Sequence, residues 1–154
     1  ICASTFGGKK YALASKLKEL AYRCNPYIKY IVDMYGWEEA KQFEGVREFL
    51  IEMSEKAIKP TFGRDFWCHM LEKQLNDDIC WVSDARFEEE ALWTTSKGGF
   101  NIRLTRPGVG PVHETEDNLY EVDVTIENDG DVLELRRKLI SVLARTFGRT
   151  ELLP

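Results

Sequence analysis

The chain is poor in the residues from which metal and redox sites are usually built. Its 154 residues include only two histidines, His69 and His113, and four cysteines, Cys2, Cys24, Cys68 and Cys80. Neither histidine stands at metal-ligand spacing and no two cysteines form a Cys-x-x-Cys pair, which argues against a zinc site. The cysteines read as isolated reduced thiols. Cys68 beside His69 is no nucleophile pair, because sequence neighbours on a helix point in different directions. Also missing are an apolar run of membrane-spanning length and a secretory signal, so the expected location is the cytoplasm. Positive charge is not in excess either. Lys and Arg number 21 against 26 Asp and Glu, a net charge of −5 that disfavours a nonspecific nucleic-acid binder while leaving a local basic cleft open. There is no internal repeat and no low-complexity linker. No methionine stands at the start, and an upstream part is expected to have been removed or left out.

What is present suits a soluble globular domain. The length fits one domain over residues 1–154 with a real core. The first half reads as mainly helical. Leu13, Leu17, Leu20, Ala21 and Cys24 recur at helical spacing until Asn25-Pro26 stops them. A short helical turn around Trp37–Phe43 follows Gly36. Val46, Phe49, Leu50, Met53 and Ala57 form a second stripe, closed by Pro60. Phe66, Trp67, Met70, Leu71 and Leu75 form a third.

The second half alternates. Ile79–Ser83 reads as an apolar strand of the kind buried in parallel sheets. Phe87–Lys97 reads as a helix capped by Gly98-Gly99. Phe100, Ile102 and Leu104 alternate with polar residues, as do Val122, Val124 and Ile126. Asn128-Asp129-Gly130 turns the chain into a long helix, Asp131–Phe147, with Leu135, Leu139, Val142 and Leu143 inward. Strands alternating with helices predict an α/β fold with a mainly parallel sheet flanked by helices.

Within this pattern, Trp81–Glu90 (WVSDARFEEE) is the richest segment. A strand ends in Asp84, Arg86 follows two residues on, and Glu88, Glu89 and Glu90 come next. Ligands of open α/β sheets sit where strands end. Arginine grips phosphate oxygens bidentately, and an acid at a strand end holds a metal-bound water or orients the arginine. The competing reading is an Asp84–Arg86 ion pair that only fixes the turn. Glu88 and Glu89 suit a solvated first helical turn.

Taken in order, LKELA…NP, GWEEAK, GRDFW, WVSDARFEEEA, the Gly98–Pro107 run and VTIENDG resemble the phage-type deoxynucleoside monophosphate kinases, from about Leu13 to the last helix. The resemblance implies a three-layer P-loop kinase fold. It also implies transfer of the ATP γ-phosphoryl group to a deoxynucleoside monophosphate with Mg²⁺, in the host-cell cytoplasm if phage-encoded, with a homodimer possible in principle. Asp84, Arg86 and Glu90 match the family's Asp-x-Arg and following Glu. Arg64, Asp65 and Trp67 match an entry near the monophosphate site, although Asp65 also suits a helix cap and Trp67 a core position. Ser54 stands in for a threonine of that region and Lys59 approximates a nearby arginine, without its planar fork. Arg106, ahead of the lid-like loop at about 107–117, matches a lid arginine that neutralises transition-state charge. Arg103 is equally a surface residue, and His113 a loop hydrogen-bonder. The substrate-side helical region spans about 25–76.

The family pattern breaks at the phosphate loop. Such a kinase needs Gly-x-x-x-x-Gly-Lys-[Ser/Thr] after its first strand, where backbone N–H groups cradle phosphates and the hydroxyl binds Mg²⁺. The nearest segment, Ala3–Lys10, keeps Gly8 and Lys9 but has Ala3 for the first glycine and Lys10 for the hydroxyl. A competing alignment places Leu13–Lys18 on a block that follows the P-loop helix, so that residues 1–10 are a remnant. The rival function is a non-catalytic nucleotide-binding or interaction module that retains the fold.

Overall fold

The computed structural model describes residues 2–76, 79–109 and 120–148. The chain is a mixed α/β protein in which helix predominates. It divides into two compact units, Lys10–Asp84 and Ala85–Pro154 together with Ile1–Lys9. Among the described residues each contains one two-stranded sheet, the first strand of the first unit beginning one residue before the division.

In the first unit, β1 (Lys9–Tyr11) pairs with β2 (Cys80–Val82). All three β2 residues are only half-buried, short of the fully buried strand that the apolar run predicts. A strand with one described neighbour cannot be covered as an interior strand is. Between them run α2 (Ala14–Cys24), α3 (Pro26–Ala40), α4 (Val46–Glu52), a π-turn (Met53–Ile58), α5 (Lys59–Phe62) and α6 (Phe66–Glu72). Asn25 both ends α2 and starts α3. Its N–H donates to the Ala21 carbonyl at 3.0 Å, and its side chain accepts from the N–H groups of Tyr27 and Ile28. Pro26 at the first position of α3 needs no N–H partner there. Tyr27–Tyr35, which has apolar residues on every side and so shows no stripe, is helical as well. Gly36, at φ +75°, breaks α3 in a conformation that a side chain would disfavour. The core of this unit is Ala21, Ile28 and Val46, packed by Val32, Trp37, Phe43, Phe49, Leu50 and Met53.

The second amphipathic stripe differs from its prediction. Pro60 does not close the helix, which continues to Phe62. At Met53–Ile58 the backbone widens, and Lys59 N–H reaches the Ser54 carbonyl five residues back. The wide turn lets the chain pass Pro60, which has no N–H to give. One added residue rotates the helix face by about 100°. Ala57, expected inward, is therefore exposed, while Ser54 and Lys59 are buried.

In the second unit, α1 (Cys2–Phe6) buries Phe6. β3 (Ile102–Thr105) and β4 (Val124–Glu127) are parallel, with Ile102 opposite Val124 and Leu104 opposite Ile126. Ile126 is buried but Leu104 is not, so the alternation holds on β4 and fails on β3. α7 (Glu88–Ser96) ends as predicted, the Gly98 and Gly99 N–H groups bonding the Thr95 and Thr94 carbonyls. α8 (Val132–Thr146) is capped by Asp131, which accepts from Glu134 N–H at 2.8 Å, and turns Leu139 and Leu143 inward. No helix among the described residues is long and apolar enough to cross a membrane.

Candidate functional site

The site residues expected from sequence fall in both units. In the first unit, the π-turn brings together residues far apart on the chain. Trp67, only 4% exposed, donates its Nε1–H to Ser54 Oγ at 2.9 Å. Ser54 Oγ in turn donates to Glu55 Oε1 at 2.9 Å, and Lys59 Nζ lies 3.1 Å from that same oxygen. The buried indole N–H and hydroxyl are thus hydrogen-bonded in series to the half-buried Glu55 carboxylate, which also ion-pairs with the buried Lys59 ammonium. Burying such groups is tolerable only when they satisfy one another. Ser54 and Trp67 are the residues that the family resemblance puts on the substrate side, and Lys59 the one that approximates an arginine. Glu55, a sequence neighbour of Ser54, joins the set through its Oε1, which meets both Ser54 and Lys59.

Arg64 and Asp65 occupy the exposed turn between Gly63 and α6. Asp65 makes no side-chain cap, and its carboxylate stands 3.6 Å from His69 Nδ1. Asp65 therefore does not act as the helix cap that the sequence allowed.

Asp84 closes the first unit in an unexpected way. Its Oδ1 accepts the Leu13 N–H at 2.8 Å and its Oδ2 the Ala14 N–H at 3.0 Å. These are unsatisfied donors at the start of α2, where a carboxylate also meets the positive end of the helix. The carboxylate acts as a helix cap supplied from the end of β2. No sequence rule would find this pairing, since the partners are 71 and 70 residues apart.

In the second unit, Glu90 is 6% exposed and accepts the N–H groups of Arg86 and Phe87 at 2.6 and 3.2 Å. This is the reach-back half of a capping box at the head of α7. Arg86 itself is exposed. Arg106 is exposed too, and its carbonyl accepts from Val109 N–H in the turn that contains Pro107 and Gly108. Arg103 is half-buried, donating to the Tyr120 carbonyl at 2.5 Å with its guanidinium 5.0 Å from the Tyr120 ring centroid. Burial pushes the Tyr120 phenol up, Arg103 pulls it down in part, and Glu90 adds a smaller upward push. His113 and most of the lid-like loop lie outside the described residues.

Gly8 and Lys9 stand in an order unlike a phosphate loop. A P-loop runs strand, loop, helix. Here α1 comes first, Gly7 and Gly8 turn at φ +76° and +86°, and Lys9 opens a strand. The donor set also fails to fit Mg²⁺. Both Asp84 oxygens are engaged by backbone N–H groups, and Lys10 stands where the ion would need a hydroxyl. Among the described residues, no three His, Cys, Asp or Glu side chains cluster as metal ligands. The four cysteines are unbridged.

No family model, curated protein or solved structure matches this chain.

Proposed function

We propose that the chain is a deoxynucleoside monophosphate kinase of the phage type, a variant of the three-layer P-loop fold with a mainly parallel sheet. In the reaction, a phosphate oxygen of the deoxynucleoside monophosphate attacks the γ-phosphorus of ATP. The bond to the ADP oxygen breaks, and the deoxynucleoside diphosphate and ADP leave. Arg64, Arg86 and Arg106 neutralise phosphate charge, so catalysis is positioning and electrostatic stabilisation rather than covalent chemistry. Mg²⁺ accompanies ATP in this reading, but these residues offer it no ligand set and no step is routed through it. The reading implies the cytoplasm, that of the host cell if the protein is phage-encoded, with no membrane or nucleic-acid partner expected, and it leaves open whether the chain forms a homodimer.

The observation that supports this reading is the convergence of Ser54, Trp67 and Lys59 on one widened helical turn. The family resemblance puts Trp67 and Ser54 on the substrate side and makes Lys59 an approximate stand-in for an arginine near Ser54. The test is ATP consumption by the full chain with each deoxynucleoside monophosphate in turn. Turnover with at least one of them, lost in Arg86→Ala with the fold retained, is expected. Absence of turnover with all of them rejects the kinase.

A second reading, a nucleotide-binding module without transfer, is favoured by the helix–Gly-Gly–strand order of residues 2–11. It predicts calorimetric binding of a deoxynucleoside monophosphate with no ATP consumption.

A further inference from the structure

Apolar side chains at the surface gather on one stretch of α3. Tyr27, Tyr30 and Met34 are 49%, 61% and 59% exposed. At about 100° per residue they fall within about 60° of one another around the helix, in a stripe apart from the buried Ile28 and Ile31. Tyr35 is exposed as well, but it stacks on Phe43 with ring centroids 5.0 Å apart and lies off the stripe. Single exposed apolar residues need no explanation, whereas three on one helix face make a patch. Taking about 200 Å² for each whole side chain, the stripe exposes about 350 Å².

Lys29 and Asp33 run along one flank of the stripe, paired at 2.6 Å. The Tyr22 hydroxyl donates to Asp33 and accepts from Lys29. The flank therefore carries one cation and one anion, a turn apart, and no net charge. A chain of net charge −5 repels its own copy on average, so two copies meet most readily where charge cancels. The face has no basic excess to hold an anionic membrane or a nucleic acid. Tyr and Met at the centre with a charged rim are the composition of a protein–protein interface.

We infer that this face of α3 packs antiparallel on α3 of a second copy of the chain, about a two-fold axis beside Tyr30. Such an axis makes the contact self-complementary. Tyr30 lies beside the partner's Tyr30 and Tyr27 beside the partner's Met34. Lys29 lies beside the partner's Asp33, and Asp33 beside the partner's Lys29. Sulfur against an aromatic ring and opposite charges across the rim both favour this register. The stripe supplies a little under half of the roughly 800 Å² that each partner of a standard interface buries, so the dimer is a weak one that dissociates on dilution. The claim goes beyond the kinase reading, which leaves assembly open, and stands whether or not the chain transfers phosphate.

Analytical ultracentrifugation of the full chain tests it. The mass should rise from one chain at about 1 μM to two chains at about 500 μM, as for a weak interface. Tyr30→Glu and Met34→Glu each alter an exposed side chain, so the fold should hold by circular dichroism while dimerisation weakens at least about thirtyfold, the size of a hot-spot loss. Leu133→Glu, at an exposed apolar residue of α8, should leave it unchanged. Asp33→Lys should weaken the dimer about tenfold by setting like charges together. The exchanged variant Lys29→Asp/Asp33→Lys should regain it to within about threefold, because a two-fold contact keeps both pairs when the charges trade places. A single-chain mass at about 500 μM overturns the inference at a concentration where a weak interface is populated. So does a dimer that tolerates both Tyr30→Glu and Met34→Glu, one lost in Leu133→Glu, or one that the exchanged variant fails to regain. A dimer without ATP consumption rejects the kinase alone, and a turning-over monomer rejects this inference alone.

Discussion

The Asp84 carboxylate accepts the Leu13 N–H at 2.8 Å across 71 residues of chain, tying the end of β2 to the first turn of α2. With Ala14 N–H on its other oxygen, Asp84 serves as a cap that α2 does not supply for itself, since Leu13 has no side-chain acceptor. An acid that the sequence suggests for phosphate chemistry thus has a structural task in this fold.

Asp84→Ala should therefore destabilise the protein by about 2–3 kcal/mol, the cost of two charge-assisted bonds lost at a helix start. Asp84→Asn, which keeps one acceptor, should cost about half as much. Urea denaturation gives both numbers. Loss of turnover in Asp84→Ala at unchanged stability would instead make the carboxylate a catalytic group.

The Trp67–Ser54 bond should be energetically coupled. Ser54→Ala leaves the buried indole N–H without its acceptor, at a cost of about 1–3 kcal/mol. Trp67→Phe removes the donor as well. A double-mutant cycle should yield a coupling of at least about 0.5 kcal/mol. Additive effects would mean that the hydrogen bond adds nothing to stability.

Glu90 reaches back to two N–H groups at the head of α7. Glu90→Ala should lower stability by about 1–2 kcal/mol, in the range of a lost cap. Amide exchange at Arg86 and Phe87 should accelerate more than exchange at the middle of α7. Equal acceleration along the helix would contradict a local cap.

Acid should weaken the fold through its surface lysine–carboxylate pairs. Hydrogen bonds from Lys16, Lys29, Lys41, Lys56 and Lys138 hold Glu19, Asp33, Glu38, Glu52 and Asp129 below the usual carboxylate range. A depressed folded-state pKa contributes stability that is present above the unfolded value. It is lost as the pH falls below about 4 through the folded values. All five groups are exposed, so the Tm decline should be shallow and should flatten in about 1 M salt. A decline that salt leaves unchanged would point to buried groups instead.

Tyr120 gives the opposite sign at high pH. Its phenol is pushed up by burial, so the stability it contributes is present below the unfolded value near about 10 and falls as the pH rises through the folded one. Phenolate absorbance should show a late-titrating tyrosine that disappears in Tyr120→Phe. A titration curve identical in the variant would exclude this assignment.

Local chemistry was legible in the sequence by itself. Asn25-Pro26 marks a helix boundary because an amide side chain and a missing N–H suit that position and few others. Gly98-Gly99, Asp131 and the Leu139–Leu143 face of α8 follow from equally short-range rules. Other features depended on tertiary structure. Asp84 finds its partners 71 and 70 residues back, beyond the range of any spacing rule. At Met53–Ile58, one wide turn changes the helical phase, so a stripe counted at constant spacing places Ala57 inward when Ser54 and Lys59 are the buried residues. Periodicity assumes an unbroken helix, and only the folded backbone shows where Pro60 made it yield.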